Sequence, residues 1–194
     1  MKKISNILLL FILVQSSNLF SQNNIVVDGV IIPRSVKFSD KEITLNGVGS
    51  RTKLWFDVYT IGLYLSKPSQ DPKEILESNS TMGMIFYITS GLINSKNFTK
   101  NVSKGLKESA GEELWLKFQP ELAMLEEFVS KEGITKNDVF NLVYNNTDSN
   151  IWVLRNGILT GKIPGFEFKK ALFGIWLSDK PVKESLKKSL LGLE

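Results

Sequence analysis

The chain contains neither cysteine nor histidine. Their absence excludes disulfides, thiol nucleophiles, Ser-His-Asp and Cys-His machinery, and ordinary zinc sites. Any chemistry must come from Asp, Glu, Lys, Arg, Tyr, Ser or Thr, or from simple orientation of a reactive substrate. No metal or cofactor is expected. Arginine is scarce: Arg34, Arg51 and Arg155 are the three among 24 basic residues. In so lysine-biased a chain, a retained arginine points to a need for its planar fork of donors. The alternative is an arginine at a strand mouth, paired with Asp57 or left in water. Net charge is also small, +4 over 194 residues, and evenly spread. Aromatic residues fall in apolar runs rather than among basic clusters, so nothing points to nucleic acid.

Long apolar runs are missing too, with one exception at the start. Met1-Lys2-Lys3 is followed by the uninterrupted apolar segment Ile7 to Val14, and then by the polar stretch Gln15 to Ser21. This is the three-part layout of a secretory signal peptide, and the run is short for a membrane span. Residues 1–21 are expected to be a leader and 22–194 a single domain, exported to the periplasm or secreted. With no cysteine beside the leader, a lipoprotein anchor is excluded. After cleavage no integral membrane segment is expected.

What is present is alternation. The stretch Leu54 to Leu65 reads as a strand rich in aromatic and β-branched residues. One face carries Trp55, Asp57, Tyr59, Ile61, Leu63 and Leu65, the other Leu54, Phe56, Val58, Thr60, Gly62 and Tyr64. Asn46-Gly47 just upstream signals a tight turn, with Gly49 adding backbone freedom. If extended backbone persists to position 51, Arg51 joins the face of Asp57 and Tyr59. Gly47-x-Gly49 is not a nucleotide loop, because a strand and not a helix follows.

Around this stretch the chain punctuates itself. Asp28-Gly29 and Asn156-Gly157 mark hairpins, and Asp71-Pro72 opens a short helix. Met82 to Thr89 is a second apolar strand. Asn94 or Ser95 caps a helix to Gly111 in which Phe98, Val102 and Leu106 recur at four-residue spacing. Lys96, Lys100, Lys104 and Lys107 make its other side basic, a face that is usually solvated and occasionally lies on membranes. Further helices are expected over Pro120–Ser130, Phe166–Leu177 and Val182–Leu191, with strands Val139–Tyr144, Ile151–Arg155 and Ile158–Thr160. Strands, helices, strands, helices is the order of an α+β domain with a mainly antiparallel sheet covered on one side.

Two stretches together resemble the chalcone isomerase-like family. They are Leu45-x-Gly47-x-Gly49-x-Arg51 leading into Val58-Tyr-Thr-Ile-Gly-Leu-Tyr-Leu65, and Gly174-Ile-Trp-Leu-Ser-Asp-Lys-Pro-Val182 near the carboxyl end. The resemblance implies an open-faced β-sandwich, a large sheet under helices with an apolar cleft between. In the family's enzymes an arginine, a threonine, a tyrosine and an asparagine serve an intramolecular addition. The arginine matches Arg51. The threonine matches Tyr59, and Thr60 beside it would point to the opposite face; the tyrosine matches Phe98, the asparagine Gly105, and a later polar residue falls near Gly174. Donors aimed at developing charge are what such a reaction needs, and most are missing. What remains is similar to the family's non-catalytic, fatty-acid-binding branch, in which an arginine and a tyrosine hold a carboxylate above an apolar cavity. The implied ligand site is Arg51, Tyr59, Thr60, Phe98, Val102 and Gly105, with Leu63 and Leu106 as further lining, for a small apolar carboxylate such as a fatty acid. Two alternatives stay open. One is an isomerase or lyase on an enone or phenolic substrate, using Arg51 as electrophile and Tyr59 or a group of the substrate for proton transfer. The other is a structural envelope protein whose cleft is filled by its own side chains.

Overall fold

A computed structural model describes residues 24–53, 56–91 and 94–194. The expected leader, together with Leu54, Trp55 and the side chain of Asp57, lies outside the described residues. The described chain opens on an antiparallel hairpin of β1 (Asn24–Val27) and β2 (Val30–Pro33). Its turn places Asp28 and Gly29 at φ of 50° and 78°, the conformation for which Asp-Gly is suited.

Seven strands then follow as an antiparallel meander in which each pairs with its sequence neighbour. They are β3 (Ser35–Phe38), β4 (Lys41–Lys53), β5 (Phe56–Leu65), β6 (Met82–Ile88), β7 (Val139–Asn145), β8 (Asn150–Arg155) and β9 (Ile158–Pro164). Helix α1 (Pro72–Glu77) joins β5 to β6, and α2 (Ser95–Ala110), α3 (Glu112–Lys117) and α4 (Gln119–Ser130) join β6 to β7. Helices α5 (Phe166–Leu177) and α6 (Glu184–Leu190) follow the sheet. Asp71 caps α1 by accepting from the Lys73 and Glu74 amides, with Pro72 at the first helical position, as anticipated. Asn94 caps α2 through the Asn97 amide. Helix α3 was not anticipated; it buries no residue, so no apolar period announces it.

The sheet separates two cores. On one face Ile61, Leu63, Phe86 and Phe140 meet Phe98, Leu106, Leu125, Leu172 and Leu190 from the helices. On the other, Tyr64, Ile85 and Val143 pack with Ile32 and Ile43, and the β1–β2 hairpin contributes Ile25, Val27 and Val30. This is the helices-on-one-face α+β arrangement that the element order implied.

Two irregularities decide what faces the helices. Asn46-Gly47 is not a turn. Strand β4 runs straight through it, and Asn46 is an extra residue between the pairs Leu45↔Tyr64 and Gly47↔Leu63. The bulge sends Leu45 to the hairpin side and Gly47 to the helix side. The Asn46 amide donates to the carbonyls of Ser69 and Leu190 and accepts from the Ser69 amide. A Cβ on Gly47 would lie 2.2 Å from the Ser189 carbonyl oxygen, and one on Gly49 would lie 2.9 Å from Leu186 Cδ1. Both glycines exist to let α6 lie directly on β4. The second bulge is at Val58, between the pairs Thr52↔Asp57 and Arg51↔Tyr59. It breaks the uninterrupted alternation expected from Trp55 to Leu65.

Candidate functional site

Arg51 and Tyr59 do not share a strand, as the sequence reading supposed. They sit on β4 and β5 as direct antiparallel partners, which puts their Cβ atoms about 5 Å apart on one face. That face is the helix side, because Tyr59 alternates with Ile61, Leu63 and Leu65 in the helix-side core. On β4 the same row runs Gly47, Gly49, Arg51. The two glycines accept α6 and the third member is a cation.

Tyr59 is 5% exposed. Its ring meets Phe86 edge-on, with centroids 5.4 Å apart at 70°. Phe86 in turn touches Trp176 of α5 and Phe98 of α2 at 5.2 and 6.1 Å, both T-shaped. Phe98 also stacks on Phe140 at 6.4 Å. The phenol therefore stands on an aromatic floor, where its polar end needs partners. Trp176 Nε1 donates to the Tyr59 hydroxyl oxygen at 3.1 Å, a buried bond bridging 117 positions of sequence. An indole only donates, so Tyr59 is left with its own O–H, and that proton has no acceptor among the described residues.

Arg51 is half-buried and has no hydrogen-bond or ion-pair partner among the described residues. The contrast with the other arginines is informative. Arg34 is exposed, while Arg155 is locked to Asp138 at 2.7 Å and to Glu132 at 3.3 Å. A guanidinium keeps its charge when half-buried, and here no described side chain offsets it.

The remaining expected site residues divide. Phe98 and Val102 lie in the same helix-side core as Tyr59, both buried, as do Leu63 and Leu106. Thr60 lies on the opposite face, paired in register with Tyr87, and its hydroxyl is 2.8 Å from that of Ser50. It is not brought together with Arg51 and Tyr59, because one step along a strand reverses the side chain. Gly105 is packed under α5, where a Cβ would lie 2.8 Å from Ile175 Cγ2. It serves the α2–α5 crossing and not a cleft. Position 174 is likewise an apolar helix position in α5. Trp176 is the site residue that the sequence reading did not assign, although it stands in the quoted Gly-Ile-Trp-Leu run. The basic side of α2 is exposed, and two of its four lysines carry acids, Lys104 with Glu108 and Lys107 with Glu112.

Two buried ionic groups lie outside the site. Lys169 Nζ donates to the Leu76 and Ser78 carbonyls at 2.7 and 2.8 Å, closing the end of α1 over the Phe166 ring. Burial lowers its pKa to about 8. Desolvation pushes the Asp138 carboxyl up, but hydrogen bonds from Asn156, Thr135 and Arg155 outweigh it and hold the pKa below the ordinary value. On the hairpin face, burial raises the phenols of Tyr64 and Tyr87 above their usual range. A cavity of about 150 Å³ lined by Leu65, Ser66, Ser69, Ile75, Thr81 and Met82 opens at the other end of β5, six residues beyond Tyr59. No helix among the described residues is long and apolar enough to cross a membrane.

Comparison with known proteins agrees with this architecture. No curated protein sequence matches the chain. Among solved structures, the Arabidopsis thaliana fatty-acid binding protein AtFAP1 superposes with a TM-score of 0.69 at 18% identity, covering 87% of this chain and 95% of that one. At that identity the likeness speaks for the fold. The family model described as chalcone isomerase-like matches residues 24–192, and the chain belongs to the chalcone isomerase-like family.

Proposed function

We propose that this protein holds a small apolar carboxylate, such as a fatty acid, with its head between Arg51 and Tyr59. The observation that carries the reading is the register pair itself: a half-buried guanidinium beside a buried phenol, the one without a counterion and the other without an acceptor for its proton among the described residues. A carboxylate is the complement of both. It takes two parallel N–H bonds from arginine and a third bond from the phenol. The aromatic floor under the phenol and the inward side of α2 make the surroundings of the head group apolar. That a fatty-acid binding protein shares the fold supports the same ligand class. Isomerase chemistry is less well served, because the family's other donor positions here are Phe98, stacked in the core, and Gly105, packed under Ile175. The leader read at residues 1–21 belongs to the same proposal: the binding domain works after export, in the periplasm or outside the cell.

The direct test is native mass spectrometry of the gently purified domain. A bound species that dissociates as an aliphatic acid, and that is lost in Arg51→Ala, is the expected result. A clean apo protein that also ignores added long-chain acids refutes the reading.

A further inference from the structure

We infer that Trp176 is a positioning residue for the ligand carboxylate, and that it makes the site selective for an acid over the matching alcohol. This rests on the carboxylate reading above and says how that site chooses its ligand. A phenolic O–H lies in the plane of its ring and points to one of two sides. At Tyr59 one of those sides is occupied by the Trp176 Nε1–H, which donates to the hydroxyl oxygen at 3.1 Å. Two donors cannot face each other, so the Tyr59 proton is turned to the side away from Trp176. Both residues are fixed: Trp176 is 3% exposed and both rings bear on Phe86, at 5.2 and 5.4 Å. The hydroxyl is thereby held as a donor before any ligand arrives, with no described residue to receive its proton.

A group set up only to donate rewards an acceptor and gives little to a second donor. A carboxylate offers only lone pairs to Tyr59 and Arg51. A fatty alcohol must turn its own proton elsewhere, in a site whose near neighbours are aromatic. Preorganisation of this kind removes the cost of ordering the phenol on binding, and it discriminates because a mismatched head leaves a buried polar group unpaired. Sequence alone could not show it, since Trp176 and Tyr59 meet only through the docking of α5 on β5.

The test uses the full domain, dodecanoic acid and dodecanol as probes, and two replacements at one position. Trp176→Phe removes the N–H and one ring. Incorporation of 3-benzothienylalanine keeps the two-ring shape and removes only the donor, which guards against simple loss of packing. The expected result is acid affinity roughly three- to tenfold weaker in both, dodecanol affinity unchanged, and no further loss when either is combined with Tyr59→Phe. The 13Cζ resonance of labelled Tyr59 in the ligand-free protein adds a readout that packing alone does not move. That resonance should move once the indole donor to its oxygen is gone, even where the two-ring packing is kept. The inference is overturned if the benzothienyl protein binds the acid as wild type does. It is equally overturned if acid and alcohol weaken together, or if the loss persists in full on the Tyr59→Phe background. A wild-type protein that binds acid and alcohol alike overturns the carboxylate reading and this inference with it. Loss of acid preference in Tyr59→Phe but not in the tryptophan variants removes the inference alone.

Discussion

Gly47→Ala puts one methyl group where the structure has none to spare. The added Cβ would stand 2.2 Å from the Ser189 carbonyl oxygen and 2.4 Å from that of Leu190, against a contact distance of about 3.2 Å. Both obstacles are backbone, so no rotamer change relieves them, and the end of α6 must lift by about 1 Å. That helix is held by Leu186, Leu190 and Leu191, each almost fully buried. Partial loss of that packing, at about 1.5–3 kcal/mol for each fully buried leucine, sets the scale. Against it stands a small gain from a less flexible unfolded chain, about 0.4–1 kcal/mol. The net expectation is a destabilisation of about 2–4 kcal/mol, read as a lower denaturant midpoint with little change in slope. Gly49→Ala should cost less, about 1–2 kcal/mol, because Leu186 Cδ1 at 2.9 Å can swing aside and Ser189 Cβ, also at 2.9 Å, is a milder overlap than the two carbonyls at Gly47. Hydrogen exchange should locate the damage. The Leu191 amide, bonded to Lys187, should lose protection, while amides of the β5–β6 pairing keep theirs. A Gly47→Ala protein as stable as wild type, or one that loses less than Gly49→Ala, refutes the claim that these glycines are there to seat α6.

Two further expectations concern the buried charges. The Lys169 pKa is lowered by burial to about 8 from 10.5, so from pH 8 to about 10 the unfolded chain binds a proton that the folded one does not. Wild-type stability should therefore rise across that window relative to Lys169→Met, as followed by denaturant midpoints; a constant difference between the two contradicts it. The Asp138 pKa is lowered, so its contribution is present above the ordinary carboxylate range and is lost as pH falls through the folded value. Asp138→Asn should flatten the acid limb of the stability profile and cost about 3 kcal/mol near neutrality, because it leaves Arg155 buried without its main partner. An unchanged acid limb would falsify the assignment.

Asp28-Gly29 and Asn156-Gly157 are hairpin turns with all four residues at positive φ, a backbone requirement that few other pairs satisfy. Asp71-Pro72 and Asn94 are helix starts for equally local reasons. Asn46-Gly47 carries the same local signal and misled, because here the asparagine makes a bulge and the glycine clears space for a helix some 140 residues later. Nothing near it in sequence records that contact. The same limit governs the site. Arg51 and Tyr59 were associated along one strand, whereas they are neighbours across two, since pairing across strands depends on a register that the Val58 bulge shifts. Thr60 was included by adjacency to Tyr59 although alternation already assigned it to the other face, which is where it lies against Ser50. Trp176 reaches Tyr59 only through the packing of α5, so it was seen as part of a motif and not as a partner.

The central claim is that Arg51 and Tyr59 together hold a carboxylate. The measurement that tests it most directly is the affinity of dodecanoic acid and its methyl ester for wild type, Arg51→Ala, Tyr59→Phe and the double variant, with folding checked in each. The account predicts that Arg51→Ala weakens the acid by roughly ten- to a hundredfold, the worth of a charge-assisted hydrogen bond. Tyr59→Phe should weaken it several-fold, the two effects should couple, and the ester should bind all four proteins equally poorly. Folded variants that keep wild-type affinity for the acid, or a wild-type protein that binds the ester as tightly, would contradict it.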